Sequence, residues 1–126
     1  MKFIASNASD FVPASHEDPK NPGVLKRVIA TAADLNAGQV PMLNWSKLAA
    51  GNSFQPHYHE DMQEIFVLLS GRVTMQVGDE AVTMKPGDTV IVEPTEIHQM
   101  TNAADELAEY LVFGIASGKG GKTVVV

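Results

Sequence analysis

From residue 24 onward, apolar residues recur in short runs punctuated by turn chemistry. The runs are "VLKRVIAT", "MLNWSKLAA", "SFQPHYH", "EIFVLLS", "RVTMQV", "AVTM", "TVIVE", "HQMTN" and "ELAEYLVFGIA". Between them fall Asn21-Pro22-Gly23, Gly51-Asn52, Ser70-Gly71, Gly78-Asp79 and Pro86-Gly87-Asp88. Short β-branched runs with this punctuation predict an all-β sandwich or barrel. Only "TAADLNAG" and "NAADELAEY" look helical, and the second reads equally as a loop entering the last long strand.

Two runs, "IFVLL" (65–69) and "YLVFGIA" (110–116), are apolar on both strand faces. A half-solvated antiparallel strand alternates instead, so something must cover the outer face. The candidates are the polar N-terminal segment and a second copy of the chain. A homodimer is the expectation, because exposed apolar patches mark interfaces. The pattern divides the chain into an irregular, proline-punctuated arm (1–22), a β-barrel domain (23–116), and a Gly-rich turn with a terminal strand or tail (117–126).

The 126 residues suit one domain with an ordinary core. No cysteine is present, which excludes disulfides and thiolate metal sites. Net charge is −6 and the basic residues are scattered, against the basic footprint that nucleic acid needs. No run approaches the roughly 20 apolar residues of a membrane span, and the opening residues lack a signal-peptide core. A soluble cytoplasmic protein with no nucleic-acid or membrane partner is expected. The tail "ASGKGGKT" meets a relaxed phosphate-loop pattern, but such a loop needs a helix after it, and only three valines remain. It reads as a turn into an edge strand.

The chemistry concentrates in "GNSFQPHYHEDMQEIFVLLSG" (51–71). In a strand, His57 and His59 point to one face and Tyr58 to the other. If "EDMQ" closes a hairpin, Glu64 falls opposite His59 and Phe66 opposite His57. Two imidazoles and a carboxylate would then converge within reach of one ion. A lone His-x-His is more often a solvated pair. Here, however, Glu64 heads an apolar run, and a carboxylate on a core face needs a cation or hydrogen-bonding partner. His98, in "VEPTEIHQMTN", also has a strand-rich context. His16, in the arm, reads as solvated.

The segment matches the first cupin motif, G(X)5HXH(X)3–4E(X)6G, at Gly51, His57, His59, Glu64 and Gly71. Gly87, His98 and Asn102 resemble the second motif, G(X)5PXG(X)2H(X)3N. Glu93-Pro94-Thr95 stands where that motif has Pro-x-Gly, so the turn before His98 is expected to differ. The resemblance covers about residues 40–115. It implies a double-stranded β-helix, or jelly-roll, barrel. It also implies that His57, His59, Glu64 and His98 bind one divalent transition metal.

Three imidazoles and a carboxylate suit Fe, Mn, Ni, Zn or Cu alike. The resemblance implies a metal-dependent enzyme acting on a small polar or anionic molecule, of dioxygenase, isomerase or decarboxylase type. The alternative is a non-catalytic module binding a small, sugar-like ligand, with a structural metal or none. Gln55, Phe66 and Met100 share the ligands' strand faces and are expected along the substrate pocket. The nearby carboxylates Glu60, Asp61, Glu93 and Glu96 lie in loops, where solvation is the usual state, and none is assigned a catalytic role.

Overall fold

The computed structural model describes residues 3–5, 7–35, 39–118 and 121–126. Eleven strands run through them: β1 (Val12–Pro13), β2 (Val24–Thr31), β3 (Met42–Leu48), β4 (His57–His59), β5 (Met62–Ser70), β6 (Val73–Val77), β7 (Glu80–Met84), β8 (Thr89–Val92), β9 (His98–Thr101), β10 (Ala108–Ala116) and β11 (Thr123–Val125). No helix occurs among the described residues, so none is long and apolar enough to cross a membrane. The first helix-like stretch begins as a turn, and its residues 36–38 lie outside the described residues. The second is a bend leading into β10. Lys119 and Gly120 of the Gly-rich turn also lie outside them, as do residues 1, 2 and 6 of the arm.

The strands form two antiparallel sheets, ordered β1-β2-β3-β10-β5-β8 and β11-β4-β9-β6-β7. Of the successive pairs from β3 to β10, only β6 and β7 are neighbours in one sheet, and the other connections pass between sheets. This is the double-stranded β-helix that the cupin resemblance implies, within the all-β class that the short, punctuated runs predict.

Alternation decides which side chains face inward. Along β5, Met62, Glu64, Phe66 and Leu68 are buried, while Gln63, Ile65 and Val67 are only half-buried. Along β10 the buried set is Ala108, Tyr110, Val112, Gly114 and Ala116, and along β3 it is Asn44, Ser46 and Leu48. Leu48, Leu68, Val73, Met75, Met84, Met100 and Ala108 belong to one apolar core. Burying these side chains stabilises the fold by roughly 1.5–3 kcal/mol for each large one. Phe54 and Phe66 join this core to the histidines: their rings lie 6.2 Å apart, and each lies within 6 Å of the His98 ring.

The arm packs on the outside of the six-stranded sheet as well as over its edge. Val12 and Pro13 pair with Lys26 and Leu25. Ser9 Oγ donates to the Val28 carbonyl at 2.8 Å. The buried Arg27 lies 6.0 Å from the Trp45 ring and donates to the Ala5 carbonyl at 3.5 Å. Lys47 Nζ sits 4.2 Å from the Phe11 ring, a cation–π contact that helps hold the arm down.

Candidate metal centre

His57, His59, Glu64 and His98 are all buried, and one donor atom from each lies within 4.8 Å of the others. Two ligands of one ion, each about 2.0–2.2 Å from it, stand at most ~4.4 Å apart. The cluster's donors therefore lie near the spacing that one ion needs.

The route to this geometry differs from the expected hairpin. β4 and β5 lie in opposite sheets, so Glu64 is not the cross-strand partner of His59, nor Phe66 of His57. Glu64 pairs with Gly114 and Val92, whereas His57 pairs with His98 and His59 with Thr123. The Glu60–Asp61 connection crosses the barrel wall, and the carboxylate meets the histidines across the interior. Convergence survives because inward alternation on two facing sheets aims at the same space.

Hydrogen bonds outside the cluster set the ring orientations. His57 Nδ1 lies 2.6 Å from the Gln55 carbonyl, and His98 Nδ1 lies 3.0 Å from the Glu96 carbonyl. A carbonyl only accepts, so both Nδ1 atoms carry the proton, and the neutral rings present Nε2 as a lone pair. His59 Nδ1 is held 3.1 Å from Thr123 Oγ1, which commits the same edge to the C-terminal strand β11. Nε2 of His59 and of His98 then face Glu64 Oε1 at 3.2 and 3.0 Å.

Neutral His98 opposes a lone pair to a carboxylate lone pair at that distance. The contact is favourable only with a positive charge between or upon them: a proton, or a cation. Burial alone would raise the Glu64 pKa, but where His59 and His98 carry a proton toward it, their hydrogen bonds and charge outweigh burial and bring it down to about 2. Burial lowers His57 to about 3, against the pull of the Gln55 carbonyl. An ionised carboxylate beside imidazoles whose far edges are already bonded is the donor chemistry of a divalent-metal site. The cluster could hold such an ion.

The turn before His98 carries the departure at Glu93-Pro94-Thr95. Thr95 has φ 71°, the only positive φ among the described non-glycine residues, and its N–H donates to the His59 carbonyl at 2.7 Å. A β-branched residue is strained there, where glycine is not. Thr95→Gly is expected to raise stability by up to about 1 kcal/mol, since relief of strain exceeds glycine's entropic cost. Urea unfolding checks this, and a destabilised variant would contradict it.

A cavity of about 210 Å³ opens beside the cluster. His57, His59, Glu64 and Phe66 line it, and His98, only 1% exposed, packs behind His57. Gln55 has an exposed side chain, and its backbone N–H donates to Glu17. Met100 is fully buried in the apolar core.

Sequence reasoning missed His16. It is not solvated: its ring stacks on His57 at 4.2 Å between centroids and lines the cavity. Burial lowers its pKa, although Glu17 opposes the shift. Its neighbour Glu17 anchors this part of the arm, accepting from the Gly23 and Gln55 N–H groups at 2.7 Å each. A carboxylate beside a histidine in a proline-rich segment was the available signal, and it was weak.

A family model described as a cupin domain matches residues 44–114. The chain belongs to the cupin family. Its match spans both motif regions, including all four clustered residues. Among solved structures, a predicted oxalate decarboxylase from Thermotoga maritima superposes with a TM-score of 0.81 at 21% identity, covering 92% of this chain and 100% of that one. The polyketide cyclase RemF from Streptomyces resistomycificus gives 0.79 at 19% identity, covering 100% and 85%. A sugar phosphate isomerase of the cupin superfamily from Silicibacter pomeroyi gives 0.76 at 20% identity, covering 92% and 76%. At these identities the likeness is one of fold. No curated protein sequence matches this cupin significantly.

Proposed function

We propose that this cupin is a divalent-metal-dependent enzyme acting on a small anionic molecule. The observation that carries the proposal is the convergence of His98 Nε2, whose Nδ1 is committed to a carbonyl, and of His59 Nε2 on Glu64 Oε1 in a buried site. The ion would be held by Nε2 of His57, His59 and His98 and by the Glu64 carboxylate. When bound, it would supply Lewis acidity at the edge of the cavity. The protein residues orient and enclose. Phe54 and Phe66 pack against the rings and keep water from the buried side. Tyr110, its pKa raised by burial despite a hydrogen bond from Ser46, keeps its proton and stays neutral. With three neutral imidazoles and one carboxylate, a divalent site keeps a formal charge of about +1, which favours an anionic ligand.

Metal analysis of chain purified without chelators tests this reading, followed by oxygen-consumption and product assays with small carboxylates. About one equivalent of a transition metal and turnover that disappears on chelation are expected. Less than about 0.2 equivalents after reconstitution would overturn it.

A homodimer is part of the same proposal. Beyond the arm, the six-stranded sheet presents half-buried Leu111, Phe113, Ile65 and Val67 and exposed Ile91 and Ile115 on its outer face. Light scattering should give about 27 kDa, twice the chain mass of 13.5 kDa. A mass of one chain would remove the dimer and leave the metal site untouched.

A further inference from the structure

We propose that the cavity binds a small hydroxylated carboxylate, with Lys26 holding its carboxylate and Asn44 accepting a hydrogen bond from one of its hydroxyls. The proposal rests on the metal-site reading for the ligand's position beside the cluster, and it adds the ligand's chemistry and the residues that select it.

The observations come from the inner face of β2 and β3, away from the four clustered residues. Lys26 pairs with Ser46, and Val28 pairs with Asn44. Lys26 falls between Val24 and Val28 on the inward side, so a lysine takes a place where alternation calls for an apolar residue. It is half-buried and lines the cavity, and no ion pair involves it among the described residues. Burial lowers its pKa. An ammonium drawn part-way out of water without a counter-ion is satisfied by an anion entering the cavity.

Asn44 supplies the second, independent observation. It is 5% exposed, lines the same cavity, and its Oδ1 has no hydrogen-bond partner. A buried amide oxygen calls for a donor. Near a lysine and a site of positive formal charge, a hydroxyl meets that need without adding another cation. Ser46, the neighbour on β3, is already bonded to Tyr110 and does not compete for the donor. On the arm, His16 Nε2 is also buried without a hydrogen bond, since its 3.4 Å approach to Glu17 Oε2 lacks the geometry for one. Unpartnered polar atoms on the arm and on β3 thus face the same volume. At about 210 Å³, that volume admits a small ligand, and a four-carbon one serves as the probe.

Erythronate, a four-carbon carboxylate with three hydroxyls, and erythritol, its uncharged counterpart, test the assignment by calorimetric titration of the zinc-loaded full chain. Saturable erythronate binding is expected, with erythritol weaker by about tenfold or more. Lys26→Met should lower erythronate affinity about tenfold or more and leave erythritol affinity unchanged, whereas Lys26→Arg should retain most of the binding. Asn44→Leu should weaken both ligands. Zinc content and far-ultraviolet circular dichroism of each variant, on the same samples, separate ligand loss from metal loss and misfolding. A zinc-loaded wild-type chain that does not bind erythronate, or a Lys26→Met chain that binds it equally well, overturns the proposal. If the wild-type chain takes up no zinc, the metal reading fails. The same titration on the metal-free chain then decides this one, through whether Lys26→Met still loses affinity.

Discussion

Glu64→Gln is expected to lower zinc affinity by at least about 100-fold while the chain stays folded. The substitution preserves shape and removes charge. Three neutral imidazoles can still coordinate, but a divalent ion in this buried site would then have no anionic ligand to offset its lost hydration. The fold tolerates the change, because the new amide offers an N–H donor to the Nε2 lone pair of His98 at 3.0 Å and keeps an oxygen that can accept from His59 at 3.2 Å. Loss of metal and retention of fold therefore separate in one variant. Competition with a chromophoric chelator measures the affinity, and circular dichroism measures the fold. An affinity within about threefold of wild type would remove Glu64 from the ligand set, since even outer-shell partners are worth more than that.

The same carboxylate shows what could be read from sequence and what could not. The spacing of His57, His59 and Glu64 is a local pattern, and strand alternation turns local pattern into facing side chains. The all-β class was legible for the same reason. Sheet membership is not local. Four residues between His59 and Glu64 permit a hairpin, but the jelly-roll sends β4 and β5 to opposite sheets. Nothing in "EDMQ" encodes that choice; it follows from which distant strands compete for each edge. The cluster was nevertheless found, because both arrangements point these residues inward.

The other cavity residues divide along the same line. Lys26, Asn44 and Ser46 carried a signal, each being a polar residue on a face shared with Val24, Val28 or Leu48. An eye tuned to histidine and carboxylate passes over it. His16 carried almost none. Its place depends on Glu17 reaching backbone N–H groups at Gly23 and Gln55, the latter 38 residues away along the chain. An irregular arm has no periodicity from which such a contact can be inferred. Thr95 is intermediate: the motif's glycine position marked a special backbone, and the chain keeps the positive φ without the residue that accommodates it.

The metal-free chain should lose much of its stability between about pH 6.5 and pH 3, and His57 should account for the upper part of that loss. Burial lowers the His57 pKa to about 3 from the 6.5 of a free imidazole. Between those values the unfolded chain binds a proton that the folded chain excludes, so stability falls as pH falls. Over the full interval the effect is on the order of 4 kcal/mol, a large share of the 5–15 kcal/mol of a typical domain. Glu64 acts in the same direction lower down. Its pKa is lowered from 4.5 to about 2, so its contribution is present above about 4.5 and is lost as pH falls through 2. Bound metal extends the effect, because protons compete with it for the imidazoles, and metal affinity should itself fall below about pH 6. Urea unfolding of chelated protein at several pH values between 7 and 3.5 measures the slope. His57→Gln should reduce it above pH 4.5, leaving the share of His16, whose pKa burial also lowers, and the Glu64 limb. Equal stability of the metal-free wild type at pH 7 and pH 4 would show that His57 is not held neutral by burial. A His57→Gln slope matching wild type would place the titration elsewhere.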